Sequence, residues 1–387
     1  MIYSYGARNY FSFKEGLNAS FQLTAKAPAL VSQGRKVATV LGIKGGNASG
    51  KTSILKCLRF LSWFIADSFA NDEKDNISLD PYFDNKNPTD FYIDFQIGDA
   101  KYRYELTATR EAVVREALYK KLQRKTLIVE RKGDAISYRS NEYSALDLIE
   151  LKTRASFVST IVKYKIKNLP SDFERIVSYF ERFAGNVTPL GLIPDSEMFN
   201  RESATSFYNS VPEAFEFVKN FIRRADLGIV DIEIHSHDLP TGKKEFFPIF
   251  IHKVGKSNGR AALTSYDQSS GTMALYRRLA IYWMVLKEGG VLIMDEFDQN
   301  CHPMLLPPLL DLFINKESNP HGAQFLFTAH NSDVIDSLGK YRTILVSKED
   351  GESYSYRLDE IPGDLIRNDR SISALYREGK LGGIPKL

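Results

Sequence analysis

One short segment of the sequence combines glycines, a lysine and a hydroxyl residue at a spacing that suits phosphate groups. Residues 45–52 read Gly-Gly-Asn-Ala-Ser-Gly-Lys-Thr and fit the pattern G-x-x-x-x-G-K-[ST]. Glycines let backbone N–H groups turn inward around an anion, and the N-terminus of a following helix adds positive potential. We expect Lys51 to reach the β- and γ-phosphates of a nucleotide and the Thr52 hydroxyl to ligate Mg²⁺. The residues predicted to bind the nucleotide here are Gly45, Asn47, Ala48, Ser49, Gly50, Lys51, Thr52 and Ser53.

A second segment carries two adjacent carboxylates directly after an apolar run. Residues 291–296 read Val-Leu-Ile-Met-Asp-Glu, and the apolar part predicts a buried strand. In open α/β sheets ligands collect beyond the carboxyl ends of the strands, where Asp295 and Glu296 would stand. We expect Asp295 to hold Mg²⁺ and Glu296 to accept a proton from an attacking water. Alone, such a run is equally consistent with a solvated strand end, but its pairing with residues 45–52 favours phosphoryl chemistry.

A third segment, Ser269-Ser270-Gly271-Thr272, precedes a predicted helix that begins near Met273. Serine and glycine at a helix N-terminus can bind an anion. Because the chain already has one phosphate-binding segment, we expect Ser270 and Gly271 to contact the γ-phosphate of a nucleotide bound to a second copy. In isolation the four residues are more typical of an ordinary capped helix.

Alternating strands and helices are predicted to position these residues. An apolar strand at 37–43 precedes the glycine-rich segment, and apolar residues recur at helical spacing after Thr52. Near the end of the chain, helices and buried strands are predicted to alternate at residues 272–287, 291–295, 303–314, 324–329 and 342–347. This alternation is typical of an α/β fold.

The middle of the chain has different periodicities. Apolar residues alternate between residues 89 and 138, which predicts an antiparallel meander, and the pattern becomes helical from 141 to 226. Ser210 and Pro212 are predicted to begin one helix, and residues 228–252 are predicted to form a hairpin. We therefore expect an ATP-binding α/β lobe at 1–85 and 265–387, an antiparallel β-subdomain at 86–140, and a helical insertion with a hairpin at 141–264.

Composition narrows the possible partners. The 387 residues include 51 basic and 48 acidic side chains, a net charge of +3, so any contact with DNA must be local. Cys57 and Cys301 lack the spacing of metal ligands, which suits a reducing compartment and predicts a cytoplasmic protein. The longest apolar run near the start, within residues 58–70, is too short to span a membrane, so we expect no membrane association through the chain's own helices, whereas docking on a membrane partner stays open.

The order of the segments resembles that of ABC ATPases. The glycine-rich segment, the Ser-Ser-Gly-Thr run and Asp295-Glu296 are followed by Thr-Ala-His-Asn at residues 328–331. His330 resembles the switch histidine that contacts the γ-phosphate, although alone it is more typical of a histidine at a strand end. Residues 298–303 occupy the place of the loop that signals across the dimer. The resemblance implies an ABC-type ATPase head that hydrolyses ATP with Mg²⁺, with Glu296 and His330 as catalytic residues, in a head-to-tail homodimer.

Within that superfamily the chain is most similar to the SMC- and RecF-like branch, and especially to bacterial ATPases of the RloA or AbiLi type found with abortive-infection and restriction loci. Residues 8–13 resemble the branch's opening strand, 291–303 match its Asp-Glu and His-Pro spacing, and 376–385 resemble its terminal motif. Phe11 stands where the branch commonly has a basic residue. Residues 156–160 lack the glutamine that usually reads Mg²⁺ and the γ-phosphate, so a nucleotide-gated scaffold with little hydrolysis stays open.

The resemblance leaves two roles for the ATPase cycle. It could regulate a separate effector in anti-phage defence, such as a toxin or Toprim-fold nuclease, and this chain has no nuclease signature of its own. Alternatively, it could drive a DNA-maintenance clamp. Basic clusters that could contact DNA phosphates lie at residues 120–132, 163–167, 219–224 and 253–260. The near-neutral net charge favours solvated faces for these clusters.

Two histidines have the spacing of metal ligands on one side of a strand. His235 and His237 alternate in the predicted hairpin, but no cysteine or carboxylate set completes a zinc site. A hairpin edge is therefore the better interpretation of this pair.

Overall fold

Antiparallel and parallel strands fall into different sheets. The computed structural model describes residues 1–72, 74–166, 169–194, 201–226, 228–255, 259–361, 366 and 371–383. The strands are β1 (Ile2–Arg8), β2 (Leu17–Ser20), β3 (Val40–Gly45), β4 (Thr89–Ile97), β5 (Ala100–Ala108), β6 (Val113–Lys121), β7 (Lys125–Lys132), β8 (Ala135–Arg139), β9 (Phe183–Gly185), β10 (Ile229–Asp238), β11 (Lys244–Val254), β12 (Gly259–Thr264), β13 (Val291–Met294), β14 (Gln324–Thr328), β15 (Thr343–Glu349) and β16 (Glu352–Arg357). The helices are α1 (Ala29–Ser32), α2 (Lys51–Asp67), α3 (Phe157–Tyr164), α4 (Asp172–Phe180), α5 (Arg201–Ser210), α6 (Pro212–Ala225), α7 (Ser270–Glu288), α8 (Leu306–Ile314), α9 (Val334–Leu338) and α10 (Ile372–Arg377).

The central sheet has the strand order β16-β15-β3-β14-β13-β9. All neighbouring strands in it are parallel except β16, which is antiparallel to β15. β13 and β14 are buried at every residue, as expected for strands covered on both faces. Because β14 lies between β3 and β13, the carboxyl ends of all three strands meet at one edge of the sheet.

Helices cover both faces of the central sheet. Leu41 and Ile43 of β3 join a core cluster that contains the buried face of α2, whereas Val40 joins a second cluster with α7 and α8. Side chains alternate across a strand, so neighbouring residues of β3 reach opposite cores. The predicted α/β fold is confirmed, although β3 begins three residues later and ends two residues later than the predicted 37–43.

The antiparallel sheet has the order β2-β1-β4-β5-β6-β7-β8. Strands β4 to β7 form the predicted meander, and β5 alternates buried and half-buried residues along its whole length. The sheet also takes β1 and β2 from the start of the chain, because β1 pairs with β4. Its buried face packs with α2, α3 and α4 in one core.

A third sheet, β10-β11-β12, follows α5 and α6. It contains the predicted hairpin and a third strand, β12, whose exposed and half-buried residues gave no clear strand signal. The prediction that Ser210 caps a helix is wrong. Ser210 is the last residue of α5 and donates its hydroxyl to the Ser206 carbonyl, and the N-cap of α6 is Val211, with Pro212 in the first turn as predicted.

Candidate functional site

The glycine-rich segment joins β3 to α2 at the carboxyl edge of the central sheet. Two of its glycines occupy positions where a side chain would clash or would strain the backbone. A Cβ on Gly45 would lie 2.4 Å from the Val346 carbonyl oxygen, and Gly50 has a φ of 107°, a conformation that side chains disfavour. The hydroxyl of Ser49 is buried and has no hydrogen-bond partner among the described residues. A tight backbone turn, an available hydroxyl donor and a helix N-terminus together fit a phosphate group.

Lys51 points back into this loop. Its ammonium donates to the carbonyl oxygens of Gly45 at 3.1 Å and Gly46 at 2.8 Å. Burial lowers the pKa of Lys51, while the carboxylates of Asp295 and Glu296 oppose that shift. The lysine therefore lies within the loop and within the electrostatic influence of both carboxylates.

Asp295 connects the loop to the neighbouring strands. The Thr52 hydroxyl donates to one of its carboxylate oxygens at 2.7 Å, and the Thr328 hydroxyl donates to the other. Asp295 is buried. It directly follows β13, and the pairing of β13 with β14 brings it beside Thr328 at the end of β14. Hydroxyl and carboxylate oxygens are ligands that Mg²⁺ prefers, so Thr52 and Asp295 fit the predicted metal site.

Glu296 lies at the exposed side of the same edge. Its carboxylate contacts the His330 Nε2 at 3.0 Å and accepts a hydrogen bond from the Gln299 side chain at 2.8 Å. Its own N–H donates to the Thr328 hydroxyl at 2.8 Å, and its backbone has a positive φ of 50°. A non-glycine residue in this conformation is uncommon and is found at functional sites. The structure thus brings together Glu296 and His330, which are 34 positions apart in sequence.

Ser270 and Gly271 do not join this group within one chain. Helix α7 begins at Ser270 and not near Met273, because Ser269 is the N-cap and its hydroxyl accepts the Thr272 N–H at 3.0 Å. Ser269 and Ser270 are exposed. Gly271 lies beside the loop after the carboxylates, where an added Cβ would be 3.2 Å from the Asn300 carbonyl oxygen.

The segment 156–160 lies beyond the end of α2 that is remote from the phosphate loop. It forms the start of α3, and the Ser156 N–H donates to the Ser68 hydroxyl at 2.9 Å, just beyond the far end of α2. Since α2 has 17 residues, this point is roughly 25 Å from the phosphate loop at 1.5 Å per residue. The lack of a glutamine at residues 156–160 therefore has no bearing on the site.

The side-chain amide that does contact the carboxylate strand belongs to Asn186. It follows β9 and exchanges two hydrogen bonds with the Asp295 backbone, at 2.7 and 2.9 Å. Sequence reasoning missed Asn186 because β9 has only three residues and shows no periodicity. Its position depends on the pairing of β9 with β13.

A cavity of about 600 Å³ extends from the phosphate loop. Besides Phe11 and Ser12 of the 8–13 segment, the cavity is lined by residues that the sequence motifs did not include: Asp80, Pro81, Phe83, Asp84, Arg110 and Lys348. Phe83 is 72% exposed, and the Arg110 guanidinium pairs with Asp80 at 2.7 Å. The expectation that residues 8–13 form a strand is wrong, because β1 ends at Arg8 and both Asn9 and Phe11 have positive φ angles. That turn places Phe11 at the cavity.

Some residues of the basic clusters are paired with carboxylates or buried within the described part of the chain. Lys120 pairs with Asp172 at 2.7 Å and Lys219 with Asp231 at 2.8 Å. Arg131 is fully buried and donates to backbone carbonyls. Residues 167 and 256–258 of the other two clusters lie outside the described residues.

Each of the two histidines of the hairpin contacts one carboxylate. His235 lies 3.0 Å from Glu233 and His237 lies 3.2 Å from Glu245. In the described ranges no group of three or more His, Cys, Asp or Glu side chains could hold a metal ion. In the same ranges no helix combines the length and apolarity needed to cross a membrane.

The described part of the terminal motif, residues 376–383, packs against β3, the strand that leads into the phosphate loop. The Tyr376 hydroxyl donates to the Gly383 carbonyl at 3.0 Å, and the Gly383 N–H donates to the Ser347 hydroxyl at 2.9 Å. A Cβ on Gly383 would lie 3.8 Å from the Gly45 Cα. Pro385 lies outside the described residues.

Solved structures with a remote likeness to the chain come from several kinds of protein. The SMC head domain from Thermotoga maritima is 13% identical, with a TM-score of 0.46 over 92% of this chain and 98% of that one. The recombination mediator protein RecF of the RecFOR pathway is 12% identical, with a TM-score of 0.33 over 92% and 98%. CbiO1 from Clostridium perfringens, part of the ABC transporter complex cbiONQ, is 10% identical, with a TM-score of 0.35 over 93% and 90%. No curated protein sequence matches the chain significantly.

A family model matches residues 40–336, which run from β3 through the phosphate loop, both carboxylates and the His330 turn to α9. Its description is "AAA domain, putative AbiEii toxin, Type IV TA system". The match covers more than half of the chain and includes the contacts described above. The chain therefore belongs to this AAA-domain family.

Proposed function

We propose that this chain is a Mg²⁺-dependent ABC-type ATPase of the SMC/RecF-like branch, whose copies pair head to tail around ATP. The observation that carries the proposal is the convergence of Lys51, Thr52, Asp295, Glu296 and His330 at one edge of the central sheet. These residues come from separate parts of the sequence, and they supply the cation, the metal ligands and the base that phosphoryl transfer to water needs.

Each residue has a distinct role in the proposed hydrolysis. The loop N–H groups and Lys51 bind the β- and γ-phosphates, and Glu296 accepts the proton of the attacking water. His330 contacts Glu296 through Nε2 and orients that carboxylate, and when ATP is bound the same ring nitrogen would donate to the γ-phosphate instead. Thr52 and Asp295 would hold Mg²⁺, which neutralises charge on the phosphates.

The position of Ser270 supports the proposed pairing of two copies. The serine is exposed at a helix N-terminus, and the cavity that contains Lys51 is lined by other residues. A second copy would bring its Ser270 and Gly271 to the γ-phosphate from the opposite side. ATP would then stabilise the dimer, and hydrolysis would release it.

We further propose that this cycle regulates a separate effector in anti-phage defence, as in ATPases of the RloA or AbiLi type. Membership of a family described by an abortive-infection toxin supports this role. The second candidate, direct DNA binding, is supported by a groove of about 280 Å³ lined by Lys101 and Lys121, together with Arg103, Lys120 and Lys125, which are ion-paired within the chain. Co-purification with a neighbouring gene product would support the effector. ATP- and salt-dependent DNA binding that fails when these lysines are replaced would support the clamp.

Two measurements test the proposal first. One is phosphate release by the purified parent protein, and the other is the ATP affinity of the Lys51→Ala variant. We expect the substitution to weaken ATP binding about 10- to 100-fold, the range for removing a hydrogen bond to a charged group. The exposed Lys26 gives a matched control, and Lys26→Ala should bind as the parent does. Unchanged affinity in Lys51→Ala, measured by calorimetry, would refute the phosphate-loop role. ATP binding without phosphate release would instead identify a nucleotide-gated scaffold.

A further inference from the structure

A second lysine, Lys44, lies beside the phosphate loop and has no role in the chemistry above. It precedes Gly45 in β3, and only 6% of its surface is exposed. Lysine is almost never fully buried unless its charge is compensated. The pattern G-x-x-x-x-G-K-[ST] begins one residue later, so phosphate binding does not explain a lysine at this position.

The contacts of Lys44 lead to the turn that carries His330. Its ammonium donates to the Ala329 carbonyl oxygen at 2.9 Å and also to the His330 carbonyl oxygen. The ring of Tyr376 lies 5.8 Å from the same ammonium. We call residues 329–331 the His330 turn. Lys44 therefore binds two consecutive carbonyl groups of this turn.

The opposite side of the His330 turn is bound by a carboxylate. Asp298 accepts the N–H of His330 at 2.9 and 3.0 Å and the N–H of Asn331 at 2.6 Å. A cation thus holds the carbonyls of the turn and an anion holds its N–H groups. Hydrogen bonds with a charged partner are roughly twice as strong as neutral ones.

The charge on Lys44 is compatible with this role. Burial lowers the pKa of Lys44 to about 8, and Lys51 adds to the shift, whereas Asp298 and Asp333 oppose it. A pKa near this value leaves the ammonium mostly charged at neutral pH.

We propose that Lys44 is a positioning residue, which fixes the His330 turn so that the His330 ring meets Glu296. The contact that depends on it is the 3.0 Å approach of His330 Nε2 to Glu296. Any effect on turnover rests on the proposed ATPase function, but the restraint on the turn is a property of the folded chain alone.

Amide hydrogen exchange tests the restraint without reference to activity. In Lys44→Met the amides of His330 and Asn331 should exchange about 10- to 100-fold faster than in the parent, as expected for losing hydrogen bonds from a charged donor. Lys36→Met, at an exposed lysine just before β3, should exchange as the parent does. A second variant, Asp298→Asn, removes the opposing charge and should accelerate the same two amides. Parental exchange in Lys44→Met would overturn the proposal, and faster exchange in Asp298→Asn alone would show that the carboxylate holds the turn without Lys44.

Kinetics separate positioning from phosphate binding. Lys44→Met should lower kcat while KM for ATP stays near the parental value, and Lys44→Arg should restore part of kcat because it returns a cationic donor. A parallel loss of ATP affinity would place Lys44 in the phosphate loop and contradict the proposal. If the parent releases no phosphate, the ATPase function fails, and the exchange experiment still decides the role of Lys44.

Discussion

At the residue scale, Glu296 is held at both carboxylate oxygens, by His330 on one and Gln299 on the other. A carboxylate oxygen can accept more than one hydrogen bond, so these contacts orient the group and leave it able to accept one from water. The positive φ of Glu296 turns the side chain out of the strand direction, away from the buried Asp295 that precedes it. Two adjacent carboxylates therefore have different surroundings and different proposed roles.

Replacing Glu296 by glutamine tests the role of general base. Glu296→Gln keeps the shape of the side chain but removes its basicity, so we expect ATP to bind normally while turnover slows by about 10² to 10⁴. Dimers should accumulate with ATP, because hydrolysis no longer releases them. Phosphate release and light scattering on the same sample measure both effects.

The exposed Glu317 provides the comparison for this substitution. Glu317→Gln makes the same chemical change outside the site and should leave turnover unchanged. If Glu296→Gln turns over ATP at the parental rate, Glu296 is not the general base.

At the element scale, the short strand β9 decides where Asn186 lies. β9 pairs with β13 in parallel, and Gly185 at its end packs so closely that a Cβ would be 1.7 Å from the Ile293 carbonyl oxygen. Asn186 then bonds to the backbone of Asp295. A three-residue strand thus links the helical region to the carboxylates.

Gly185→Ala should disrupt this link. The added methyl group forces β9 away from β13, and overpacking of this kind costs about 1–3 kcal/mol of stability. We expect a lower midpoint in urea denaturation and reduced turnover, since Asn186 no longer supports Asp295. Gly191→Ala is the control, because a Cβ on Gly191 meets nothing within 4 Å. Equal midpoints for the two variants would show that β9 does not need the glycine.

The sequence predicts those parts of the fold and of the site that depend on short, continuous stretches of residues. The phosphate loop, the strand before Asp295 and the meander each combine a regular pattern with a turn signal, and the structure has these elements. Asn186 could not be predicted, because its place depends on a pairing across 108 to 109 positions. Phe83 and Arg110 reach the cavity from irregular segments, where no periodicity marks a side chain as functional. Lys44 lies between the predicted strand at 37–43 and the glycine-rich segment at 45–52, and neither pattern gave it a role.

At the scale of the whole molecule, the two proposed anion-binding features occur at different places on one chain. The cavity at the phosphate loop is lined by residues 48–50, the start of α2 and the turn at Phe11, whereas Ser270 is exposed at the start of α7. In a two-fold dimer of this kind, the phosphate loop of each copy would face Ser270 of the other copy. The dimer would therefore contain two sites, each built from both copies. Nucleotide binding and pairing are then linked, and each strengthens the other.

Mixing two inactive variants is the most direct test of this shared site. Lys51→Ala removes the phosphate-binding lysine, and Ser270→Arg blocks the exposed helix start, so each variant alone should release almost no phosphate. In a mixed dimer both defects fall in one site, and the other site has an intact Lys51 and an intact Ser270. With random mixing we predict recovery of about a quarter of the parental rate, since half of the dimers are mixed and each has one working site of two. A mixture as inactive as its components, or a Ser270→Arg variant with parental activity, would contradict the account.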